Sequence, residues 1–430
     1  MAKNKQKVCV VGLGYVGLPL AIRAAERGYD VYGLDTDQRK IKIINDGRSP
    51  FMDEYVSENI NKFKVKAVTD KRIIKKSDII LICVPTPVDE KFYPILDPVI
   101  NASRIVAQNL KKGALVVLES TVNPGVSEEV VRPIFEKEGL KVGKDVFIAH
   151  CPERINPGKD SISKGYDVRN IPRVVGSFER IGLTKAKKFY ENIIDAQIMA
   201  MGSIREAEAV KIMENSFRDV NIAFVNELAK SFDKMDIDII NVIKGASTKP
   251  YAFMAHWPSR GVGGHCIPVD PYYLIEKAKE NDFDHKFLRT ARTINNSMPG
   301  YTVDLLQAKM NEIKKALKGS NIGIMGLSYK ADVGDLRESP AVKIVKILKE
   351  RGAFLHIFDP YIPEMSNARN IRELLKKSEA VILITNHKEF EQIHPEEYKR
   401  NGIKIIIDGI NALDKEAIKK YGIIYKGIGR

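Results

Sequence analysis

The residue with the strongest covalent potential is Cys266, which ends the run Gly261-Val262-Gly263-Gly264-His265-Cys266. Three glycines let a ligand and the backbone come close together, as a covalent site requires. Asp270 follows four residues later and would face the thiol if a helical turn begins there. Loop amides or a nearby cation would favour the thiolate form that attacks a carbonyl. The pattern therefore fits a nucleophile, although an inert loop cysteine has the same spacing.

A second pair of chemical groups, Lys211 and Asn215, lies in a segment with helical spacing from Ser203 to about Met235. Residues four apart project from one face of a helix. A cation beside an amide donor suits the stabilisation of an alkoxide or oxyanion. The same two residue types are also ordinary on a solvated helix face, so the spacing alone does not decide between the two interpretations.

The N-terminal region carries a dinucleotide-binding pattern. An apolar run, Lys7–Gly12, leads into Gly12-Leu13-Gly14-Tyr15-Val16-Gly17, and Leu18–Arg27 then has helical spacing. Glycines in this position allow a tight turn and bring the backbone close to a pyrophosphate at the helix N-terminus. Asp35 closes the next strand-like run, where an acid usually holds a ribose hydroxyl. We predict NAD as the cofactor, with Arg39 nearby as a residue that could favour NADP.

Composition narrows the class of protein. The 430 residues contain 69 Lys and Arg against 55 Asp and Glu, a net charge of +14. The basic residues are dispersed, which argues against a nucleic-acid-binding arm and fits either a phosphorylated ligand or a Lys-rich surface. The four cysteines are scattered, so neither a metal site nor a disulfide framework is expected. We expect a cytoplasmic protein with no membrane span and no signal peptide.

The order of patterns predicts an α/β fold with two Rossmann-like domains joined by a central helical domain. Alternating strand and helix patterns fill the first part, helical sequence follows Ser203, and strand patterns restart after Lys318-Gly319. Expected strands are Lys7–Gly12, Asp30–Asp35, Asp78–Pro85, Leu115–Glu119, Asp145–His150, Asn321–Leu327, Phe354–Asp359, Ala380–Thr385 and Ile403–Asp408. Helical sequence is expected to about Ala246 and from Tyr272 to Asn296. The predicted domains are residues 1–202, 203–300 and 301–430.

Seven motifs occur in an order that resembles the UDP-glucose/GDP-mannose dehydrogenase family over nearly the whole chain. They are Val11-Gly12-Leu13-Gly14-Tyr15-Val16-Gly17-Leu18-Pro19, Val84-Pro85-Thr86-Pro87, Glu119-Ser120-Thr121-Val122 with Pro124-Gly125, Cys151-Pro152-Glu153-Arg154, Glu208 to Glu227, Gly263-Gly264-His265-Cys266, and Gly326-Leu327-Ser328-Tyr329-Lys330 with Asp335-Leu336-Arg337-Glu338-Ser339-Pro340. The resemblance implies an NAD-binding first domain, a central helix at the core of a homodimer or higher homo-oligomer, and a UDP-binding C-terminal domain.

The resemblance also implies roles for individual residues. Cys266 resembles the family's nucleophile, and Lys211 and Asn215 its oxyanion-stabilising pair. Asp270 and Thr121 resemble residues that position or activate water, and Glu153 a base for thioester hydrolysis. The implied cofactor contacts are Gly12, Gly14, Tyr15, Val16, Gly17, Asp35, Arg39, Thr86, Thr121 and Arg337. The implied substrate contacts are Arg154, Ile155, Lys211, Asn215, Arg218, His256, Arg260, Gly263, Tyr329 and Lys330.

The reaction implied by the resemblance is a four-electron oxidation at C6 of a UDP-sugar. One hydride transfer gives an aldehyde, Cys266 adds to it, a second hydride transfer leaves a thioester, and water releases the acid. Arg154-Ile155-Asn156-Pro157 and the Gly-Gly-His-Cys-Ile-Pro-Val-Asp form resemble the branch that acts on UDP-N-acetylhexosamines. We predict UDP-N-acetylmannosamine as the substrate, with UDP-N-acetylglucosamine or UDP-glucose as alternatives.

Two interpretations of other classes remain at this stage. A two-domain hydroxyacid or phosphogluconate-type dehydrogenase would share the first domain and the helical middle. It would need neither the Cys266 loop nor a third domain, and its reaction would stop after one hydride transfer. A non-enzymatic NAD-binding or nucleic-acid-binding protein would use the basic charge, and its retention on DNA would be sensitive to salt.

Overall fold

A computed structural model describes residues 5–51, 53–89, 93–154, 165–264 and 266–430. The chain divides into two compact units. Unit 1 comprises Met1–Glu214 and Tyr272–Phe283, and unit 2 comprises Asn215–Pro271 and Asp284–Arg430. Within the described residues, no helix has both the length and the apolar character needed to cross a membrane.

Unit 1 is built on an eight-stranded sheet with the order β3-β2-β1-β4-β5-β6-β7-β8. Its strands are β1 (Lys7–Val11), β2 (Asp30–Leu34), β3 (Lys66–Val68), β4 (Ile79–Ile82), β5 (Ala114–Leu118), β6 (Val146–His150), β7 (Arg173–Ser177) and β8 (Ile198–Ala200). The strands from β3 to β6 are parallel, whereas β7 runs antiparallel to β6. The strands β4 and β5 are wholly apolar, β6 is apolar up to its last residue, His150, and all three are buried, as strands covered on both faces must be.

Helices cover both faces of this sheet. They are α1 (Gly17–Glu26), α2 (Gln38–Asn45), α3 (Glu54–Asn59), α4 (Asp97–Asn109), α5 (Arg132–Lys137) and α6 (Arg180–Ile193), with a 3₁₀ helix at Lys71–Lys76 and a π turn at Ser127–Val131. Two separate apolar clusters, one on each face, hold the layers together. The strand order from β3 to β6 is that of a doubly wound nucleotide-binding sheet, in which ligands bind beyond the carboxyl ends of the strands.

The middle of the chain is helical. It contains α7 (Ile204–Lys234), α8 (Ile239–Ala246), α9 (Asp270–Lys279) and α10 (Lys286–Glu312). The helices α7 and α9 contribute residues to both units. The predicted helical stretch from Tyr272 to Asn296 is corrected in two respects. It is interrupted between α9 and α10, where Asp282 has a positive φ of 58°. It also continues beyond Asn296, because buried Met298, Val303, Leu306 and Met310 pack α10 into the core.

Unit 2 contains a five-stranded parallel sheet with the order β10-β9-β11-β12-β13. The strands are β9 (Asn321–Met325), β10 (Phe354–Phe358), β11 (Ala380–Leu383), β12 (Ile405–Asp408) and β13 (Ile424–Gly427). The helices are α11 (Pro340–Glu350), α12 (Ile371–Lys377), α13 (Lys388–Glu391), α14 (Pro395–Arg400) and α15 (Lys415–Lys420), with a 3₁₀ turn at Pro363–Met365. The prediction of two Rossmann-like sheets with helical sequence between them is confirmed.

Every strand expected from the sequence is present, with ends that differ by at most three residues. The strands β3, β8 and β13 were not predicted, because each has only three or four residues and lies at an edge of its sheet. The interior strand β7, with five residues, was also missed. The division into domains at residues 202 and 300 stays a prediction. Residue 300 lies inside α10, and each compact unit combines two segments that are separate in the sequence.

Candidate active site

The glycine loop of unit 1 has the close packing that a pyrophosphate-binding turn requires. Gly12 has a φ of +94°, and its N–H donates to the Leu34 carbonyl at 2.8 Å. A β carbon on Gly17 would lie 1.9 Å from the Gly12 oxygen, so only glycine fits there. By contrast, the space around Gly14 is open to 4 Å. The loop is thus tight where strand and helix meet and accessible where a ligand would approach.

Asp35 follows β2 and is held as a carboxylate beside this loop. It accepts hydrogen bonds from the Leu13 N–H at 2.8 Å, the Asp37 N–H at 3.0 Å and the Lys40 ammonium at 2.9 Å. Burial raises the pKa of Asp35, but these hydrogen bonds outweigh it and leave the pKa below its usual value. An ionised acid at this position suits a ribose hydroxyl. The ion pair is made by Lys40, which was not predicted, whereas the Arg39 side chain is exposed.

We expect Asp35→Asn to raise the KM for NAD by about tenfold or more, because a charge-assisted hydrogen bond contributes about 1.5–3 kcal/mol. Initial-rate kinetics with varied NAD measure the effect. Asp46→Asn is the matched control, since Asp46 is an exposed acid of the same unit that pairs with Arg48. An unchanged KM in Asp35→Asn would contradict the assigned role.

The same backbone geometry recurs in unit 2, but the corresponding acid, Asp359, forms hydrogen bonds with residues of its own unit. Gly326 has a φ of +85°, its N–H donates to the Phe358 carbonyl at 3.0 Å, and the Leu327 N–H donates to Asp359 at 2.6 Å. Asp359 also accepts from Ser328 at 2.9 Å and contacts His387 Nε2 at 3.1 Å. Burial raises the pKa of Asp359, yet these contacts hold it at about 2. Asp359 therefore shapes the loop that carries Tyr329 and Lys330.

The loop containing Thr121 is fixed to α7 by Glu208. The buried Glu208 carboxylate accepts from the Gly125 N–H at 2.6 Å and from the Ser127 N–H at 2.7 Å. Burial raises its pKa, and the two backbone donors oppose that shift. Glu208 lies one turn before half-buried Lys211 on α7. The fold therefore ties the Thr121 loop to the turn of α7 that precedes Lys211.

A second loop of unit 1, after β4, contains Thr86. Its carbonyl accepts a hydrogen bond from the hydroxyl of Tyr273, a buried residue of α9. The Thr86 side chain is half-buried. Thr86, the predicted cofactor contact, thus lies on a loop that a hydrogen bond from buried Tyr273 holds in place.

The segment after β6 contains Glu153 and Arg154. Glu153 is only 7% exposed and lies 3.4 Å from Arg173. Arg154 pairs with Glu214 of α7 and donates to the Pro172 carbonyl at 2.9 Å. Arg154 thus contacts a carboxylate and a carbonyl within unit 1. Its role as a substrate contact stays a prediction. Ile155 lies outside the described residues, as does His265.

The Cys266 loop of unit 2 is held against the segment from Tyr329 to Pro340. The Gly264 N–H donates to the Arg337 carbonyl at 3.0 Å. A β carbon on Gly263 would lie 2.6 Å from that of Tyr329, and one on Gly264 would lie 2.9 Å from the Tyr329 ring. The glycines therefore serve close packing on Tyr329. Cys266 is half-buried, whereas Cys9, Cys83 and Cys151 are buried.

Gly264→Ala tests this packing, because Gly264 has a φ of +94° and its neighbour is a rigid ring. We expect kcat/KM for the sugar nucleotide to fall about tenfold or more, since the strain moves the loop that carries Cys266. Gly300→Ala is the control, because nothing lies within 4 Å of its β-carbon position on α10. Equal activity of the two variants would show that the close packing is not needed.

The turn after Cys266 brings Asp270 into place. The Asp270 N–H donates to the Cys266 carbonyl at 2.8 Å, which confirms that a helical turn begins there. The Asp270 carboxylate, 2% exposed, accepts from the Asn215 amide at 2.5 Å. Cys266, Asp270 and Asn215 are thus joined by one backbone and one side-chain hydrogen bond. This arrangement places a carboxylate and an amide donor beside the loop that carries the thiol.

Arg337 supplies a cation near the thiol. Its guanidinium donates to both oxygens of Asp335, at 3.0 Å from Nε and 2.6 Å from Nη2. These hydrogen bonds are the main cause of its raised pKa, and the charge of Cys266 adds a smaller contribution. A thiolate at Cys266 would therefore be favoured by the positive charge of Arg337 within unit 2. Arg337 as a cofactor contact stays a prediction, as does Lys330 as a substrate contact.

Arg260 is the predicted substrate cation that the structure buries most deeply. Its N–H donates to the Gly409 carbonyl at 2.7 Å, and its Nη2 to the Tyr329 carbonyl at 3.1 Å. Burial lowers its pKa to about 10. Nε is buried without a hydrogen-bond partner among the described residues, as expected of a group that receives an anion. Arg218 is exposed on α7, and His256 contacts the Met254 carbonyl at 3.0 Å.

Within the described part of the chain, no group of three His, Cys, Asp or Glu side chains is arranged to hold a metal ion. The predicted NAD site fits the residues present, because Gly14 is open and Asp35 is ionised beside it. Contacts that the sequence did not indicate are those of Lys40, Glu208 and Arg173. Each of these contacts joins residues that are far apart in the sequence, or involves a residue type that is common on protein surfaces.

Comparison with known proteins gives a consistent result along the chain. Residues 6–194 match the NAD binding domain of the UDP-glucose/GDP-mannose dehydrogenase family, residues 205–297 its central domain and residues 323–415 its UDP binding domain. A UDP-N-acetyl-D-mannosamine dehydrogenase of Pyrococcus horikoshii is 35% identical over 429 residues, 99% of each chain. A UDP-N-acetyl-D-glucosamine 6-dehydrogenase of Pseudomonas aeruginosa is 36% identical and covers 92% of this chain and 94% of its own. A solved structure of the UDP-D-ManNAc dehydrogenase from Pyrococcus horikoshii has a TM-score of 0.92 at 34% identity, covering 99% of both chains.

Proposed function

Because the chain belongs to the UDP-glucose/GDP-mannose dehydrogenase family and is an NAD-dependent UDP-sugar 6-dehydrogenase, we propose that it oxidises UDP-N-acetyl-D-mannosamine at C6 to UDP-N-acetyl-D-mannosaminuronate. Family membership excludes the hydroxyacid dehydrogenase and the non-enzymatic binding protein. The observation that carries the chemical proposal is the setting of Cys266, which shares a hydrogen-bonded turn with Asp270 and a loop packed on Tyr329.

The mechanism we propose uses the thiol to retain the aldehyde. NAD supplies the hydride acceptor in each of the two oxidations. Lys211 and Asn215 stabilise negative charge on the reacting oxygen, and Lys211 accepts the alcohol proton directly or through water. Cys266 adds to the aldehyde, and after the second oxidation the sugar is held as a thioester. Asp270 and Thr121 position water, and Glu153 takes its proton as the thioester is hydrolysed.

Substrate contacts are proposed from the charges of the site. Arg260 suits the diphosphate, since it is a buried guanidinium with an unpartnered Nε among the described residues. Lys330 and Tyr329 extend from the Asp359-supported loop of the same unit. We propose Arg154, Arg218, His256 and Gly263 as further contacts on the basis of the family resemblance. The N-acetylmannosamine assignment is supported by relatives of that name, and N-acetylglucosamine is the second candidate because of the Pseudomonas aeruginosa relative.

The experiment that tests the substrate compares kcat/KM for UDP-N-acetylmannosamine, UDP-N-acetylglucosamine and UDP-glucose under identical conditions with saturating NAD. We expect the first to exceed the others by at least tenfold. A higher value for UDP-N-acetylglucosamine would replace the proposed substrate with its C2 epimer. Activity on UDP-glucose alone would contradict the assignment to the N-acetylhexosamine branch.

We propose a homodimer formed through α7. Its surface carries Met213, Phe217 and Phe224, which are 72%, 46% and 57% exposed. Their spacing of four and seven residues places them along one face of the helix. An exposed apolar stripe of this kind fits a second copy of the chain. Analytical ultracentrifugation should show a dimer that Phe224→Glu dissociates, and an unchanged mass in that variant would contradict this interface.

A further inference from the structure

A cluster of buried charged side chains lies at the carboxyl ends of strands β5 and β6 in unit 1. Glu119 is fully buried, Arg173 is 1% exposed and Glu153 is 7% exposed. Arg173 Nη1 lies 3.5 Å from Glu119 Oε2 and 3.4 Å from Glu153 Oε1. The hydroxyl of buried Tyr190 donates to the other oxygen of Glu119. A single guanidinium therefore bridges two carboxylates, one of which is the proposed hydrolytic base.

The sheet topology explains how these residues meet. Glu119 follows β5 directly, and Glu153 follows β6 by three residues. The strand β7 is antiparallel to β6, with Ala149 opposite Ser177 and His150 opposite Gly176. Continuing that register by three residues brings position 153 opposite position 173. The antiparallel direction of β7 thus brings an arginine to the carboxyl ends of the parallel strands β5 and β6.

The electrostatics of the cluster indicate strong coupling. Burial raises the pKa of Glu119 to about 7, Arg173 opposes the shift and Glu153 adds to it. The pKa of Arg173 is above its usual range, because attraction to Glu153 and Glu119 exceeds the effect of burial. Burying three ionisable groups is costly, and apolar residues of similar volume would stabilise the core equally well. A contribution to stability therefore does not explain the cluster, whereas the fixed position that it gives the Glu153 carboxylate does.

We propose that Arg173, anchored by Glu119 and Tyr190, is a positioning residue that fixes the Glu153 carboxylate for thioester hydrolysis. This rests on the proposed function. In the step concerned, water adds to the thioester carbonyl and Glu153 accepts one proton from it. The C–S bond then breaks with its electron pair going to sulfur, which regenerates the Cys266 thiolate. The acid formed ionises to a carboxylate and releases a second proton, and no oxidant is consumed.

The test follows the covalent adduct on Cys266 through time. Enzyme is mixed with one equivalent of UDP-N-acetylmannosamine and excess NAD, quenched at intervals and analysed by intact-protein mass spectrometry. In Arg173→Lys we expect adduct formation within about threefold of the wild-type rate constant. We expect its decay to be slowed at least tenfold, because displacing a general base removes part of a contribution of about 10²–10⁴. A lysine keeps the charge, but its shorter side chain does not place an ammonium where Arg173 Nη1 lies between the two carboxylates.

Two further variants keep the test decisive if Arg173→Lys does not fold. Glu119→Gln and Tyr190→Phe preserve shape and loosen the anchors of Arg173, so both should slow decay of the adduct less than Arg173→Lys does. Arg23→Lys is the matched control. Arg23 is 2% exposed in the same unit, and it pairs with Glu26 at 2.7 Å and Asp195 at 2.5 Å. Its replacement should lower thermal stability without slowing decay of the adduct.

The outcomes separate this proposal from the proposed function. Wild-type decay rates in folded Glu119→Gln and Tyr190→Phe, with two NADH formed per sugar, would overturn the positioning role alone. Equal slowing in Arg23→Lys would show a general effect of stability and would also overturn it. If the wild-type enzyme forms one NADH per sugar and no adduct at any time, the proposed function fails and the positioning role fails with it.

Discussion

Cys266→Ala should abolish steady-state NADH production, with a loss of at least about 10³-fold, while UDP-sugar binding stays within about threefold of the wild-type value. The reason is that in the proposed mechanism the second oxidation needs the aldehyde to be held covalently, and removing a nucleophile commonly costs this much or more. Cys266 lies on a loop positioned by Gly264 and Arg337, so replacing a small half-buried thiol should leave the contacts of Arg260, the proposed diphosphate-binding residue, intact. Steady-state assays and isothermal titration with the UDP-sugar measure the two quantities.

Thiol alkylation gives a control that needs no substitution. The pKa of Cys9 is raised to about 12 by burial, and burial also places those of Cys83 and Cys151 well above the usual range. An alkylating reagent should therefore inactivate the enzyme with one thiol modified per chain. Bound UDP-sugar should protect against it. Sustained formation of the uronic acid by Cys266→Ala would contradict the covalent mechanism.

Asp270→Asn should lower kcat by about 10²-fold, the usual contribution of a group that moves or directs a proton. Asp270 is buried against Asn215, so the substitution also removes a charge-assisted hydrogen bond worth about 1.5–3 kcal/mol. Loss of activity alone would not separate catalysis from stability. Thermal unfolding of the variant is therefore measured beside its kinetics.

The two residues offer a matched exchange. In Asn215→Asp/Asp270→Asn the amide and carboxylate change places, so the pair is kept while the charge moves from α9 to α7. We expect thermal stability near that of the wild type and kcat as low as in Asp270→Asn. Recovery of activity in the exchanged variant would show that only the hydrogen bond matters. The single variant Asn215→Asp should be less stable than both the wild type and the exchanged variant, because two buried carboxylates then face each other.

Local sequence patterns were enough to predict the main layers of the fold. The run Val8-Cys9-Val10-Val11 is apolar on both faces, so it became a central parallel strand. The glycines that follow this strand are required by the turn, because a β carbon at Gly12 or Gly17 would lie too close to neighbouring backbone atoms. Short edge strands such as β3 and β8, with three residues each, carry too few residues for a periodic signal. They form because a neighbouring strand supplies their hydrogen bonds.

The end of α10 could not be predicted, because Pro299 normally marks the boundary of a helix. The structure keeps Pro299 inside α10, with Met298, Thr302 and Val303 buried around it. The β-carbon position of Gly261 lies 3.3 Å from the Pro299 ring and 3.4 Å from the Asn295 carbonyl. The glycine loop thus packs where proline leaves that carbonyl without its helical donor. Tertiary packing overrode the local signal.

Of the candidate site, residue types were predictable and partners were not. The sequence named Asp35, Glu153 and Asp270, but it gave no means of pairing them with their actual contacts. Lys40 lies five residues from Asp35, Arg173 lies 20 residues from Glu153, and Asn215 lies 55 residues from Asp270. Such pairs depend on strand register and helix packing. A lone arginine at the start of a strand, such as Arg173, carries no motif that would reveal its role.

A four-electron oxidation through a thioester on Cys266 is tested most directly by the number of NADH formed per UDP-N-acetylmannosamine consumed. The reaction is run to completion with limiting sugar and excess NAD, with absorbance at the NADH band and chromatography of the product. We predict two NADH per sugar and one equivalent of the uronic acid. One NADH per sugar with free aldehyde as the product would contradict the account.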